Sequence, residues 1–123
     1  MSCRRVQERI VIFIGCAILA GTACMGTPFA GQASGNPESG KKLFRESCQH
    51  CHGSNGDGQS EMAAYLTPPP ANLTAEATQS KTNAQLRQII FEGRAGTAMV
   101  GFEGAIEEAQ LVDVIAYIRS LKR

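Results

Sequence analysis

Cys48-Gln49-His50-Cys51-His52 decides how this chain is read. Two thiols stand three positions apart, and an imidazole follows the second directly. Cys3, Cys16 and Cys24 all fall in the first 33 residues, so Cys48 and Cys51 are the only cysteines of the remaining chain. A disulfide framework closes longer loops than this. A closed zinc site needs four ligands, usually as two separated pairs. The chain's two histidines both lie inside the motif, so no second pair exists beyond it. A thioredoxin-like redox pair needs a strand–helix setting, and no strand pattern surrounds this motif.

What remains is C-x-x-C-H, the signature of covalent haem attachment. Thiols at this spacing on a helical turn reach the two vinyl groups along one edge of a haem and form thioethers. The histidine next to the second thiol then lies beneath the iron as its proximal ligand. Cys48, Cys51 and His52 are therefore the expected cofactor-binding residues for one covalent haem c, with His52 on the metal.

Working outward, Asn36-Pro37-Glu38 gives an N-cap, a proline at the first helical position and an early acid. The helix it opens is expected from Pro37 to about Gln49, with Gly40, Leu43, Phe44 and Ser47 on one face. Residues 53–58 are loop by composition, and Ser60 to Tyr65 is expected as a short helix. Thr67-Pro68-Pro69-Pro70 cannot be helix interior, because proline lacks the N–H. Thr82 and Gln85 match a capping box ahead of Leu86, Ile89 and Ile90, and Gly93 is the natural stop. After a glycine-rich loop from Arg94 to Gly104, a last helix is expected from about Glu107 to Leu121. Its acids stand first and its bases last, as the helix dipole favours. Leu111, Val114, Ile115, Ile118 and Leu121 make its buried face. The fold class is all-α: three main helices joined by loops too long for a self-sufficient bundle. With no Trp and 6% aromatic residues, such helices alone bury a thin core. A large flat cofactor fills the gap.

Residues 1–33 read as an export signal peptide, with Arg4, Arg5 and Arg9 in front, an apolar run from Ile10 to Met25, and small residues through Ala33. The rival is a retained membrane anchor, for which that 16-residue run is short, since a spanning helix takes roughly 20 apolar residues. Residues 34–123 form the single domain. The whole chain carries a formal charge of +1. Without the export segment's three arginines and Glu8 the domain is near neutral, and no basic run suits nucleic acid. Periplasmic residence is expected, with membrane contact only if the N-terminal segment is kept.

The domain resembles the class I c-type cytochromes, the small bacterial monohaem family. Gly40 and Phe44 precede the motif as in that family's first helix. Gly53 follows His52, and Gly96-Thr97-Ala98-Met99 with Gly101-Phe102 resembles its distal-ligand loop. Leu111 to Leu121 with Tyr117 resembles its closing helix. The resemblance covers roughly residues 36–121. It implies the class I cytochrome c fold, wrapped around one haem. It also implies an electron carrier rather than an enzyme, serving redox partner proteins as donor and acceptor.

Of the two methionines beyond the export segment, Met62 is only ten residues past His52. Met99 sits in the loop that can reach the other haem face, so Met99 is the expected second axial ligand. Val100 stands where the family has proline. The family's proline carbonyl, which accepts the proximal imidazole N–H, maps to Pro68, Pro69 or Pro70. Asn72 and Arg94 are candidates for the haem propionates. Tyr65, Leu73, Leu86, Ile90, Phe102 and Ile115 are expected in the haem pocket or core, and Gly40 with Tyr117 where the first and last helices cross. Two alternatives to a free shuttle are a haem subunit of a periplasmic dehydrogenase or oxidase and a haem-based ligand sensor.

Overall fold

The computed structural model describes residues 34–123; residues 1–33, expected as an export signal, lie outside the described residues. Five α-helices occur in this stretch: α1 (Pro37–Ser47), α2 (Gln49–His52), α3 (Glu76–Gln79), α4 (Asn83–Glu92) and α5 (Glu108–Ser120). A 3-10 turn spans Met62–Tyr65. Among the described residues there is no strand, only an isolated bridge between Gly93 and Val100. None of their helices is long and apolar enough to cross a membrane.

The caps anticipated from sequence are formed. Asn36 Oδ1 accepts from the backbone N–H of Glu38 and Ser39, at 2.9 and 3.3 Å, and Pro37 opens α1. Thr82 and Gln85 make the reciprocal capping box of α4, at 3.1 and 2.8 Å. At α5 the N-cap is Glu107, whose N–H donates to Gln110 Oε1 at 2.9 Å. The first helix ends two residues earlier than expected. Cys48 adopts φ −120°, outside helical backbone, and the attachment motif continues as the separate turn α2.

The core forms where α1 crosses α5. Phe44, Leu111 and Val114 are fully buried, and Leu86, Ile90, Ile115 and Ile118 pack around them. Burying each such side chain is worth about 1.5–3 kcal/mol. The crossing is tighter than a pairing of Gly40 with Tyr117. A Cβ at Gly40 would lie 2.0 Å from the carbonyl oxygen of Asp113 and 2.9 Å from Val114 N. Gly40 therefore meets the α5 backbone itself. Tyr117 packs one turn away on Phe44, ring centroids 5.1 Å apart at 57°, a tilted aromatic geometry.

From this seam α5 fastens the long middle loop. Arg119 donates to the carbonyls of Gln79 (2.8 Å) and Lys81 and to Asn83 Oδ1. Gln79 Nε2 bridges the carbonyls of Leu73 and Ile118 at 2.7 and 2.8 Å. These bonds hold the chain between α2 and α4 as one wall of a cavity.

Candidate haem site

The cavity has a volume of about 340 Å³ and lies between α1–α2, the proline segment, α4 and the loop after it. Cys48, Cys51, His52 and Met99 all line it. Its remaining wall is largely apolar, with Phe44, Leu73, Leu86, Ile90 and Phe102. Among the described residues Lys81 and Arg94 are the charged ones lining it, and no carboxylate does.

The attachment motif is fixed by backbone bonds. His52 N–H donates to Cys48 O at 2.9 Å, closing α2, and Gly58 N–H donates to His52 O at 2.8 Å. Ser60 Oγ donates to Cys51 O at 2.9 Å and accepts from Ala63 N–H, which ties the motif to the 3-10 turn. The two thiols are not joined to each other. Burial, and then the neighbouring Cys51, pushes the Cys48 thiol up to about 11. A thiol-exchange nucleophile needs the opposite shift, toward thiolate at neutral pH. Among the described residues no three His, Cys, Asp or Glu side chains gather as a metal cage.

His52 Nδ1 lies 3.0 Å from the carbonyl oxygen of Ala71. A carbonyl only accepts, so Nδ1 carries the proton and Nε2 keeps the lone pair available to a metal. The expected acceptor was a carbonyl of Pro68, Pro69 or Pro70, and this is corrected to Ala71. Pro70 O faces the backbone of Gly58, 2.7 Å from where a Cβ would stand there. The next carbonyl along the chain is the one turned to the imidazole. Backbone direction of this kind leaves no trace in side-chain identity.

Two further expectations change. Tyr65 is 84% exposed and lines no part of the cavity, because the short turn that carries it points the ring outward. Asn72 Oδ1 is spent on Thr74, accepting from its N–H and hydroxyl at 2.8 Å each, and Asn72 does not line the cavity, whereas Arg94 does. Ile115 keeps the core place expected of it, buried in the helix seam. Met62 lies away from the cavity and His50 is exposed. Lys81 was not singled out from sequence, where it is one more cation in a polar loop.

A flat, apolar cofactor with two vinyl groups fits this wall: two thiols on one helical turn, an oriented imidazole beside them, a thioether on the far loop. Such a helical scaffold built around a covalent haem defines a c-type haem protein. Comparison with known proteins agrees, and residues 37–122 match the family described as Cytochrome c. The chain belongs to the cytochrome c family. It is a class I c-type cytochrome that binds covalent haem c, and its chemistry is haem-based electron transfer.

It is similar to the cbb3-type cytochrome c oxidase subunit FixP of Bradyrhizobium diazoefficiens, 35% identical over 83 residues, covering 67% of this chain and 26% of that one. It is 33% identical over 79 residues to dihydro-heme d1 dehydrogenase of Pseudomonas aeruginosa, covering 64% of this chain and 14% of that protein. Cytochrome c-554(547) of Halothiobacillus neapolitanus is 30% identical over 91 residues and is covered over 100% of its length, against 72% of this chain. The chain thus spans only a minor part of the oxidase and dehydrogenase relatives. A reducing HAO-like protein complex from Kuenenia stuttgartiensis shares the fold, with a TM-score of 0.63 at 20% identity, over 72% of this chain and 44% of that one.

Proposed function

We propose that this domain is a single-electron carrier of the periplasm, with thioethers at Cys48 and Cys51 and iron held between His52 and Met99. The observation that carries this reading is the convergence of those four side chains on one apolar cavity. When bound, the haem supplies a one-electron ferric/ferrous couple. Ala71 O accepts the Nδ1 hydrogen bond of His52, a cavity-lining residue, and leaves the Nε2 lone pair for the iron. Met99 supplies a neutral sulfur, which favours ferrous over ferric iron and raises the potential. A haem held by both His52 and Met99 would leave no open site for a substrate, which suits electron transfer. Residues 1–33 act as the export signal, and residues 34–123 are the exported domain.

The test is Met99→Ala. The variant should lower the midpoint potential and let the ferrous protein bind carbon monoxide. An unchanged potential and visible spectrum would remove Met99 from the iron. Rapid, complete carbon monoxide binding by the unaltered protein at neutral pH would instead favour a ligand sensor. A second reading makes this domain the haem subunit of a dehydrogenase or oxidase. The observation favouring it is that several relatives carry a similar stretch inside much longer chains. Co-purification of the native protein with a catalytic partner would separate that reading from a free shuttle.

A further inference from the structure

The loop that carries Met99 is bounded by glycines. Gly96 has φ +74° with nothing near its Cβ position, and Gly101 follows two residues after Met99. Val100 is 71% exposed and meets the cavity only at its edge. Yet the segment is closely stitched. Arg94 N–H donates to Met99 O at 2.9 Å, and Thr97 N–H donates to Arg94 O at 3.1 Å. The Thr97 hydroxyl donates to that same Arg94 carbonyl at 2.9 Å and accepts the Met99 N–H at 3.1 Å. Beyond Met99, Phe102 N–H and Glu103 N–H donate to the carbonyls of Ile90 and Phe91, both at 3.0 Å.

The backbone bonds anchor the two ends of the loop to the end of α4. Inside it, one side chain bonds the backbone of Met99 itself, and that side chain is Thr97. Its hydroxyl is oriented by a carbonyl that can only accept, so its lone pairs are turned to the Met99 N–H. Thr97 also lines the haem cavity. We infer that Thr97 is a positioning residue for Met99: its hydroxyl fixes the Met99 backbone so that the thioether is presented to the iron at little entropic cost. This rests on the ligation of iron by Met99 proposed above.

Loss of the hydroxyl leaves the Met99 N–H without its partner, and the Met99 backbone is then held only through its carbonyl by Arg94. An unmade hydrogen bond of this kind shifts an equilibrium by about tenfold. Here the equilibrium is between sulfur-bound and sulfur-free ferric iron, which exogenous imidazole reports by competing for the same position. The experiment titrates the ferric holoprotein with imidazole in four forms: unaltered, Thr97→Val, Thr97→Ser and Met99→Ala. Thr97→Val keeps the shape and removes the hydroxyl; its apparent affinity for imidazole should rise about tenfold. Thr97→Ser should stay close to the unaltered protein. Met99→Ala sets the ceiling.

If Thr97→Val titrates like the unaltered protein while Met99→Ala binds tightly, the inference fails and ligation by Met99 stands. If Thr97→Ser is as altered as Thr97→Val, the hydroxyl is not the cause and the inference also fails. If Met99→Ala itself binds imidazole no more tightly than the unaltered protein, ligation by Met99 fails and takes the inference with it. Should Thr97→Val not yield holoprotein, Thr97→Ala is read against the same outcomes. A purely structural threonine would lower thermal stability and leave the imidazole affinity where it was.

Discussion

Gly40→Ala separates helix propensity from helix packing. In an exposed helix interior the change should stabilise by about 1 kcal/mol, because alanine is the better helix former. At position 40 the new methyl carbon would stand 2.0 Å from Asp113 O, whereas ordinary contact begins at 3.4 Å. The opposing atoms are backbone carbonyl and amide of α5, which cannot swing aside as a side chain would. The helices must therefore part by more than 1 Å along the seam that holds Phe44, Leu111 and Val114. A radial gap of 0.5–1 Å already forfeits about a quarter to a half of each dispersion well. Overpacking costs about 3 kcal/mol at the upper end of its usual range. Against the propensity gain, the net loss is about 2 kcal/mol. For a domain of this size that lowers the midpoint of thermal unfolding by about 10 °C. The assay is far-UV circular dichroism of the holoprotein against temperature, with the exposed Ser39→Ala on the same helix as control. A Gly40→Ala midpoint equal to or above that of the unaltered protein would refute the close crossing.

Arg119→Met should destabilise by about 2 kcal/mol, because it removes a charged donor shared among three partners from the end of α3 to the start of α4; denaturant unfolding measures it. The exposed Arg87–Glu108 bridge, 2.7 Å, contributes little and is screened by salt. The Arg87 hydrogen bond lowers the Glu108 carboxyl below its ordinary value. The folded state therefore binds its proton less readily than the unfolded state, and the contribution is present at neutral pH and lost as pH falls through the titration of Glu108. A double-mutant cycle on Arg87 and Glu108 should show coupling at neutral pH and low salt that vanishes in acid; coupling that survives acid would contradict this sign.

The three principal helices were legible because their ends are written in side chains. Asn36-Pro37 starts α1, Thr82 and Gln85 start α4, and Gly93 stops it with φ +79°. The glutamate cap of α5 was less visible, since Glu107 is not a usual N-cap residue and its bond runs to Gln110. Helix α3 has only four residues and no apolar period to announce it. The motif at Cys48–His52 was legible in full because covalent attachment demands those residue types at that spacing. The choice of Ala71 over the prolines was not, because it depends on which carbonyl the loop turns inward. The Thr97 bonds were hidden for a similar reason: a threonine beside glycines reads as loop until its two partners are known.

Whether a haem is fixed to Cys48 and Cys51 is read from the intact mass of the protein made in cells competent in cytochrome assembly. After denaturation and acidic solvent extraction the mass should exceed that of the processed polypeptide by one haem, and Cys48→Ala with Cys51→Ala should abolish the increment. A polypeptide of bare mass carrying two alkylatable thiols would contradict it.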